Sequence, residues 1–282
     1  MNVASPKTPG SRKTGKAFLR WVGGKRNLVH RLIPFFPDDI NLVRYHEPFA
    51  GAASVFFAIA PKVANLSDSN GHLIECYRQI RDNYKKVASY LRTHERRNSE
   101  SYYAGVRDLY NRSVAGPSQA ARFIYLNRTC FNGVFRVNTK GKFNVPYGDK
   151  PQPHFPSVVE LSEISDALKK AKVFASDYEV ALRKAKKGDF VYLDPPYPPL
   201  NGTACFTHYT ADRFDEENQN RLADAVRRVH ERGVRFLMTN ADLPIVRSLY
   251  QQFSIHKLSV TRFVSCKGVR HRVGELVIRN YD

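Results

Sequence analysis

Four consecutive residues, Asp194-Pro195-Pro196-Tyr197, carry the strongest chemical signal in the chain. They close a short apolar run, Phe190-Val191-Tyr192-Leu193, of the kind that forms a strand buried on both faces of a mostly parallel sheet. Neither proline has an N–H to donate, and each biases the residue before it toward extended geometry. The bend is therefore stiff, and it lies at the carboxyl end of a strand, where open α/β sheets bind their ligands. It offers acceptors only, the Asp194 carboxylate and the Pro195 carbonyl, with the Tyr197 ring as a flat stacking surface beside them. That set suits an exocyclic amino group on a planar base, which has two N–H bonds to give and a face to stack. An ordinary strand-ending turn is the alternative for so short a motif, and its context favours chemistry.

A second constellation precedes it. The run Leu42–His46 reads as a strand leading into Glu47-Pro48-Phe49-Ala50-Gly51-Ala52-Ala53-Ser54 and an apolar helix, Val55–Ala60. A strand, a tight turn of tiny residues and a helix form the first half of a dinucleotide-type βαβ unit, because small residues let a ligand approach the helix N-terminus. A second strand, Val63–Ser67, ends at Asp68, seventeen residues past Gly51. An acid there is placed to hold ribose hydroxyls, although Asp68 could equally cap the next helix, with Ser69 and Asn70 as rival caps. Upstream, Phe18–Lys25 ends in Gly-Gly-Lys before an amphipathic helix through Leu28, Leu32 and Ile33. Its spacing does not match a P-loop.

The elements that position these residues alternate as an α/β fold, interrupted once. After Asp68 the βα pattern lapses from Gly71 to about Ala167, where helical patterns surround Thr129–Asn138 and Lys142–Gly148, two β-prone runs that predict a hairpin across a Gly-containing turn. Alternation resumes with a strand at Lys172–Ala175, then Asp177, a helix to Lys187, the Asp194 strand, a helix over Asp215–Glu231, and strands at Val234–Thr239, Phe253–Val260 and Leu276–Arg279.

The formal charge is +19, and it is not spread evenly. Residues 1–31 hold eight Lys/Arg and no Asp/Glu, and residues 76–150 hold fifteen basic against five acidic residues. Charge confined to two segments points to a polyanion-binding surface, most simply nucleic acid. Residues 1–16, rich in Pro, Gly, Ser and Lys, read as a basic disordered tail. The four cysteines (Cys76, Cys130, Cys205, Cys266) are far apart, and the nine histidines lack ligand spacing, which argues against a disulfide scaffold or a zinc site. With no apolar run of membrane length and no signal peptide, the expectation is a soluble cytoplasmic protein.

Taken in order, Trp-Val-Gly-Gly-Lys at 21–25, Glu-Pro-Phe-Ala-Gly at 47–51, Asp68, the Phe-Asn-Gly and Phe-Asn-Val-Pro-Tyr-Gly segments, Asp177 and Asp194–Tyr197 resemble the Dam-type DNA adenine-N6 methyltransferases, which include solitary and restriction-associated GATC enzymes. The resemblance runs from about Phe18 to Tyr281. It implies an α/β fold: a Rossmann-like, S-adenosylmethionine-dependent methyltransferase sheet (17–71 and 168–282) with an inserted, mostly helical DNA-recognition domain (72–167) carrying the hairpin. It also implies S-adenosylmethionine as cofactor, no metal, double-stranded DNA as partner, and a monomer associated with the nucleoid. By resemblance, Trp21, Gly23, Lys25, Phe49 and Gly51 line the methionine side of the cofactor pocket, Asp68 accepts from the ribose, and Asp177 takes the cofactor adenine. Asp194, Pro195, Pro196 and Tyr197 form the catalytic bend; Arg20, Phe131, Asn132, Val134, Arg136 and Pro146 fall on DNA-contacting positions.

One departure stands out: where the family shows F-x-G-x-G, the second glycine is Ala53, which tolerates positive φ only at a cost. Helix capping for Asp177, a solvated charge for Lys25 and hairpin core for Phe131 and Val134 are the competing readings. N4 of cytosine presents the same amino-group geometry and is the nearest rival substrate; a non-catalytic DNA-binding relative is the alternative class.

Overall fold

The computed structural model describes residues 16–113, 115–149, 152–198, 214–266 and 269–282. The basic tail therefore lies outside the described residues except for Lys16. Seven strands, β1 (Tyr45–Glu47), β2 (Ala64–Asp68), β3 (Ala171–Ala175), β4 (Phe190–Leu193), β5 (Arg235–Ala241), β6 (Ser254–Cys266) and β7 (Val269–Arg279), form one sheet in the order β3-β2-β1-β4-β5-β7-β6. The first five are parallel, and β7 runs antiparallel between β5 and β6. Strand order reverses between β1 and β4, which opens a crevice at the carboxyl ends of those two strands.

Period-2 alternation explains why the sheet is buried on both faces. Along β4, Phe190 and Tyr192 enter one apolar layer and Val191 and Leu193 the other; β5 and β7 divide in the same way, with Leu237 and Val277 opposed to Phe236, Met238, Leu276 and Ile278. The second layer is covered by α7 (Tyr178–Leu182), α8 (Glu216–Glu231) and α9 (Pro244–Leu249). The first is covered by α1 (Val29–Leu32), α2 (Ser54–Ile59) and the helices between β2 and β3: α3 (Gly71–Arg96), α4 (Glu100–Tyr110), α5 (Pro117–Thr129) and α6 (Val158–Leu168). Tyr77, Ile80, Ile124 and Leu161 pack into the same layer as Leu66 and Phe190, so these helices share a core with the sheet.

Five elements differ from the sequence reading. The first helix stops at Leu32 and continues as a 3-10 turn over Ile33–Phe35, because Pro34 cannot donate to an α-helical ladder. The predicted hairpin does run antiparallel, but its described pairing is two isolated bridges, Cys130↔Tyr147 and Val137↔Phe143, and no regular two-stranded ladder forms among the described residues. Asn132 and Gly133 adopt φ of 55° and 66° and force a 3-10 turn over Phe131–Gly133, which breaks the alternation. The last two strands are longer than their apolar pattern implies, and α9, at six residues, is too short for its helical period to announce itself.

Candidate active site

Asp194 follows β4 directly, and four groups hold the bend it begins. Its Oδ1 accepts from the Thr239 hydroxyl on β5 (2.9 Å) and from the Lys25 ammonium. Lys25 is only 3% exposed; its Nζ also reaches the Gly23 carbonyl (3.2 Å) and Glu275 Oε1 (3.6 Å) and sits 5.0 Å from the centre of the Tyr197 ring. The Tyr197 hydroxyl donates to Glu275 Oε1 (2.5 Å). From behind, Gln219 on α8 donates to the Pro196 carbonyl (3.0 Å). Lys25, Thr239, Gln219 and Glu275 are all buried, so their geometry is set by packing and held in a low-dielectric setting where such bonds are strong.

Across the switch point lies a second acid. The N–H groups of Gly51 and Asn70 donate to the two oxygens of Asp68 (3.0 and 2.9 Å). Burial raises the Asp68 pKa, and these two bonds partly offset the rise. Asn70, not Asp68, caps α3, accepting from the N–H groups of His72 and Leu73, so the Asp68 carboxylate is not spent on the helix. The Trp21 indole lies over Gly51, where a Cβ would come within 2.9 Å of the ring. Gly51 and Ala53 both have positive φ (45° and 51°), and for the alanine this costs about 1–2 kcal/mol. The sequence departure thus falls at a position that needs the left-handed conformation.

Buried polar atoms around this turn lack partners: Ser54 Oγ at the start of α2 and Asn70 Nδ2 beside Asp68. Carboxylates at the ends of β2 and β4 suit a cofactor that carries ribose hydroxyls and a cationic centre, so the residues present fit S-adenosylmethionine. Asp68→Ala is expected to raise the KM for that cofactor at least tenfold while leaving DNA affinity unchanged, measured by initial rates at saturating DNA. An unchanged KM with weakened DNA binding contradicts the assignment.

Glu47, at the end of β1, is buried, and loss of solvation with the nearby Asp194 charge pushes its pKa to about 8 although Tyr45 OH donates to it (2.6 Å). Between the ordinary glutamate value and pH 8 the folded state holds a proton that the unfolded chain has released, so stability falls as pH rises through this window. The thermal midpoint should drop between pH 5 and 8, and Glu47→Gln should flatten that dependence, as followed by circular dichroism melts.

The remaining sequence-predicted residues are more dispersed. Phe49 stacks on Tyr178 (5.2 Å between centroids) and meets Phe214 edge-on (6.2 Å). Asp177 caps α7, and its Oδ1 accepts from the Glu179 N–H (2.8 Å) and the Arg221 guanidinium (3.0 Å). Lys25 is brought to Asp194, so the solvated-charge reading does not hold. Phe131 is 56% exposed and is not hairpin core; Val134 is half-buried, and Asn132, Arg136 and Pro146 are exposed. The half-buried Arg20 joins this loop: its side chain lies where a Gly133 Cβ would sit, and the Asn127 amide brackets its backbone, accepting from N–H (2.8 Å) and donating to C=O (2.7 Å).

Thr239, Gln219, Glu275 and Asn127 escaped sequence reading. Only Glu275 left a trace there, as an acid opening the apolar run Leu276-Val277-Ile278.

Among the described residues no cluster of His, Cys, Asp or Glu could hold a metal ion, and no helix is long and apolar enough to cross a membrane. A family model described as D12 class N6 adenine-specific DNA methyltransferase matches residues 21–264. A type II methyltransferase of Lactococcus lactis subsp. cremoris is 38% identical over 273 residues, covering 94% of this chain and 95% of the relative. The DNA adenine methylase of Escherichia coli strain K12 is 36% identical over 269 residues, with the same coverage. A type II methyltransferase of Methanocaldococcus jannaschii is 34% identical over 287 residues, covering 94% of this chain and 99% of the relative.

Proposed function

Since the chain belongs to the D12 class of N6-adenine-specific DNA methyltransferases, we propose that it methylates adenine within GATC in duplex DNA, acting on a base flipped out of the helix. The observation that carries this reading is the Asp194–Tyr197 bend at the carboxyl end of β4, with Asp68 across the switch point.

Bound S-adenosylmethionine supplies an electrophilic sulfonium methyl group. The chain's own residues prepare the nucleophile. Adenine N6 is a poor one, because its lone pair is delocalised into the ring. The Asp194 carboxylate and the Pro195 carbonyl accept its two N–H bonds and favour a pyramidal nitrogen with a localised lone pair. Thr239 and Lys25 fix the Asp194 oxygen, and Gln219 engages the Pro196 carbonyl, so the acceptors are set before the base arrives. Positioning and preorganised electrostatics then carry most of the rate. Asp194 need not be a strong base, since the alkylated nitrogen is cationic and loses its proton readily.

The target atom is inaccessible in a stacked duplex, which requires extrusion of the base and gives the Tyr197 ring its role as stacking partner. Residues 72–167 read the target, and residues 17–71 and 168–282 carry out the chemistry. Within the reading loop, Val134 and Pro146 offer apolar surface to a thymine methyl. Phe131 and Asn132, on the exposed turn, enter the stack and partner the orphaned thymine.

Transfer of labelled methyl from S-adenosylmethionine to GATC duplexes and to every single-base variant, followed by nucleoside identification, tests the proposal. N6-methyladenine formed preferentially in GATC supports it; equal labelling of all variants refutes the site assignment, and N4-methylcytosine the substrate. DNA binding should also be steeply salt-dependent. Removing residues 1–16 takes away four cations, Lys7, Arg12, Lys13 and Lys16. The slope of log K against log salt should flatten by about 0.9 for each phosphate that those cations neutralise, with sequence preference unchanged. An unaltered slope means that the tail does not touch DNA.

A further inference from the structure

We infer that Glu275 is a positioning residue for methyl transfer, holding the Tyr197 ring and dividing the Lys25 ammonium between two carboxylates. The inference rests on the reading of Asp194 and Tyr197 given above. Glu275 lies on β7, the antiparallel strand, paired with Ala241 two residues beyond Thr239 on β5. It is fully buried, yet its Oε1 faces the site, taking the Tyr197 hydroxyl at 2.5 Å and Lys25 Nζ at 3.6 Å.

Both contacts bear on the reacting nitrogen. A stacking ring whose hydroxyl is not anchored can tilt about its side-chain torsions, whereas a charge-assisted bond to a carboxylate on the sheet fixes the ring plane. Lys25 touches both Asp194 and Glu275. Lys25 already meets Asp194 Oδ1, and Glu275 gives the same ammonium a second carboxylate that fixes where it sits. Glu275 thus anchors the ammonium, so that its contact with Asp194 stays at Oδ1. Buried carboxylates are costly unless paired and hydrogen-bonded, and at Oε1 of Glu275 the Lys25 ammonium and the Tyr197 hydroxyl supply both.

The test uses the full chain with a GATC duplex and S-adenosylmethionine. Glu275→Ala is expected to lower the single-turnover methylation rate about 100-fold, with cofactor and DNA dissociation constants within threefold of wild type. Glu275→Gln keeps an acceptor for the tyrosine hydroxyl without the charge, and should recover about tenfold of that loss. Tyr197→Phe removes the hydroxyl and keeps the ring; combined with Glu275→Ala it should cost no more than Glu275→Ala alone. Rates within threefold of wild type overturn the inference. So does an additive double variant, or a rate loss matched by equal losses of both affinities and of the thermal midpoint. If Glu275→Ala does not fold, the Glu275→Gln and Tyr197→Phe pair decides on the same criterion of non-additivity. Asp194→Ala serves as control: transfer surviving in that variant defeats the reading of the site itself, whereas its loss beside an unaffected Glu275→Ala defeats only this inference.

Discussion

Asp194→Ala is expected to abolish methyl transfer, lowering the single-turnover rate by at least ~10²–10³-fold, the size of effect that follows removal of one preorganised transition-state interaction. The acceptor it removes is used chiefly as N6 pyramidalises, so DNA affinity should stay within threefold of wild type. Lys25 is not stranded by the change, because Glu275 remains 3.6 Å away and the Gly23 carbonyl 3.2 Å away. Thr239 keeps the Tyr192 hydroxyl at 3.0 Å. The thermal midpoint therefore separates a defect in chemistry from a defect in folding. Transfer within tenfold of wild type, with a normal melt, removes Asp194 from its proposed role.

The second large effect concerns reading of the target. Arg136 is exposed on the loop after the Phe131–Gly133 turn, with its Nε donating to Asn144 Oδ1 (2.9 Å). The Asn144 N–H in turn donates to the Arg136 carbonyl (3.2 Å). A braced guanidinium loses less entropy on forming a bidentate pair with guanine O6 and N7, the commonest specific contact in the major groove. Arg136→Ala should cost about 1–3 kcal/mol on the cognate duplex and relax preference at one outer G·C pair, while the central A·T pairs stay specified. Arg20, which rests against Gly133, is expected to contact the outer guanine of the other half-site. The measurement is kcat/KM across all single-base variants of GATC for wild type and variant. An equal loss on every duplex makes Arg136 a phosphate contact and not a reader.

The chain by itself determined what depends on neighbours in sequence. Two successive prolines after an apolar run make a stiff acceptor-only bend whatever surrounds it, and β4 with Asp194 appeared where that pattern placed them. Short apolar runs were enough to locate most strands, and tiny residues after β1 marked the turn at Gly51. The Ala53 departure was legible as a strained position, and its φ of 51° agrees.

Tertiary structure decided whatever depends on strands that meet only after folding. Asp194 finds Lys25 169 residues away and Thr239 45 residues away, and Tyr197 finds Glu275 78 residues away. No local spacing encodes such pairings, because they arise from sheet order, above all from β7 running antiparallel beside β5. Choices between rival groups were settled in the same way. Asn70 took the cap of α3 because its side chain meets two free N–H groups there, which left the Asp68 carboxylate to accept from the Gly51 and Asn70 N–H groups. The predicted hairpin keeps only two described antiparallel bridges, because Asn132 and Gly133 adopt positive φ and the 3-10 turn over Phe131–Gly133 interrupts the pairing. Burial then decided the state of Lys25: the resemblance placed it in the pocket, its residue type alone fitted a solvated charge equally well, and its enclosure by two carboxylates removes that second reading.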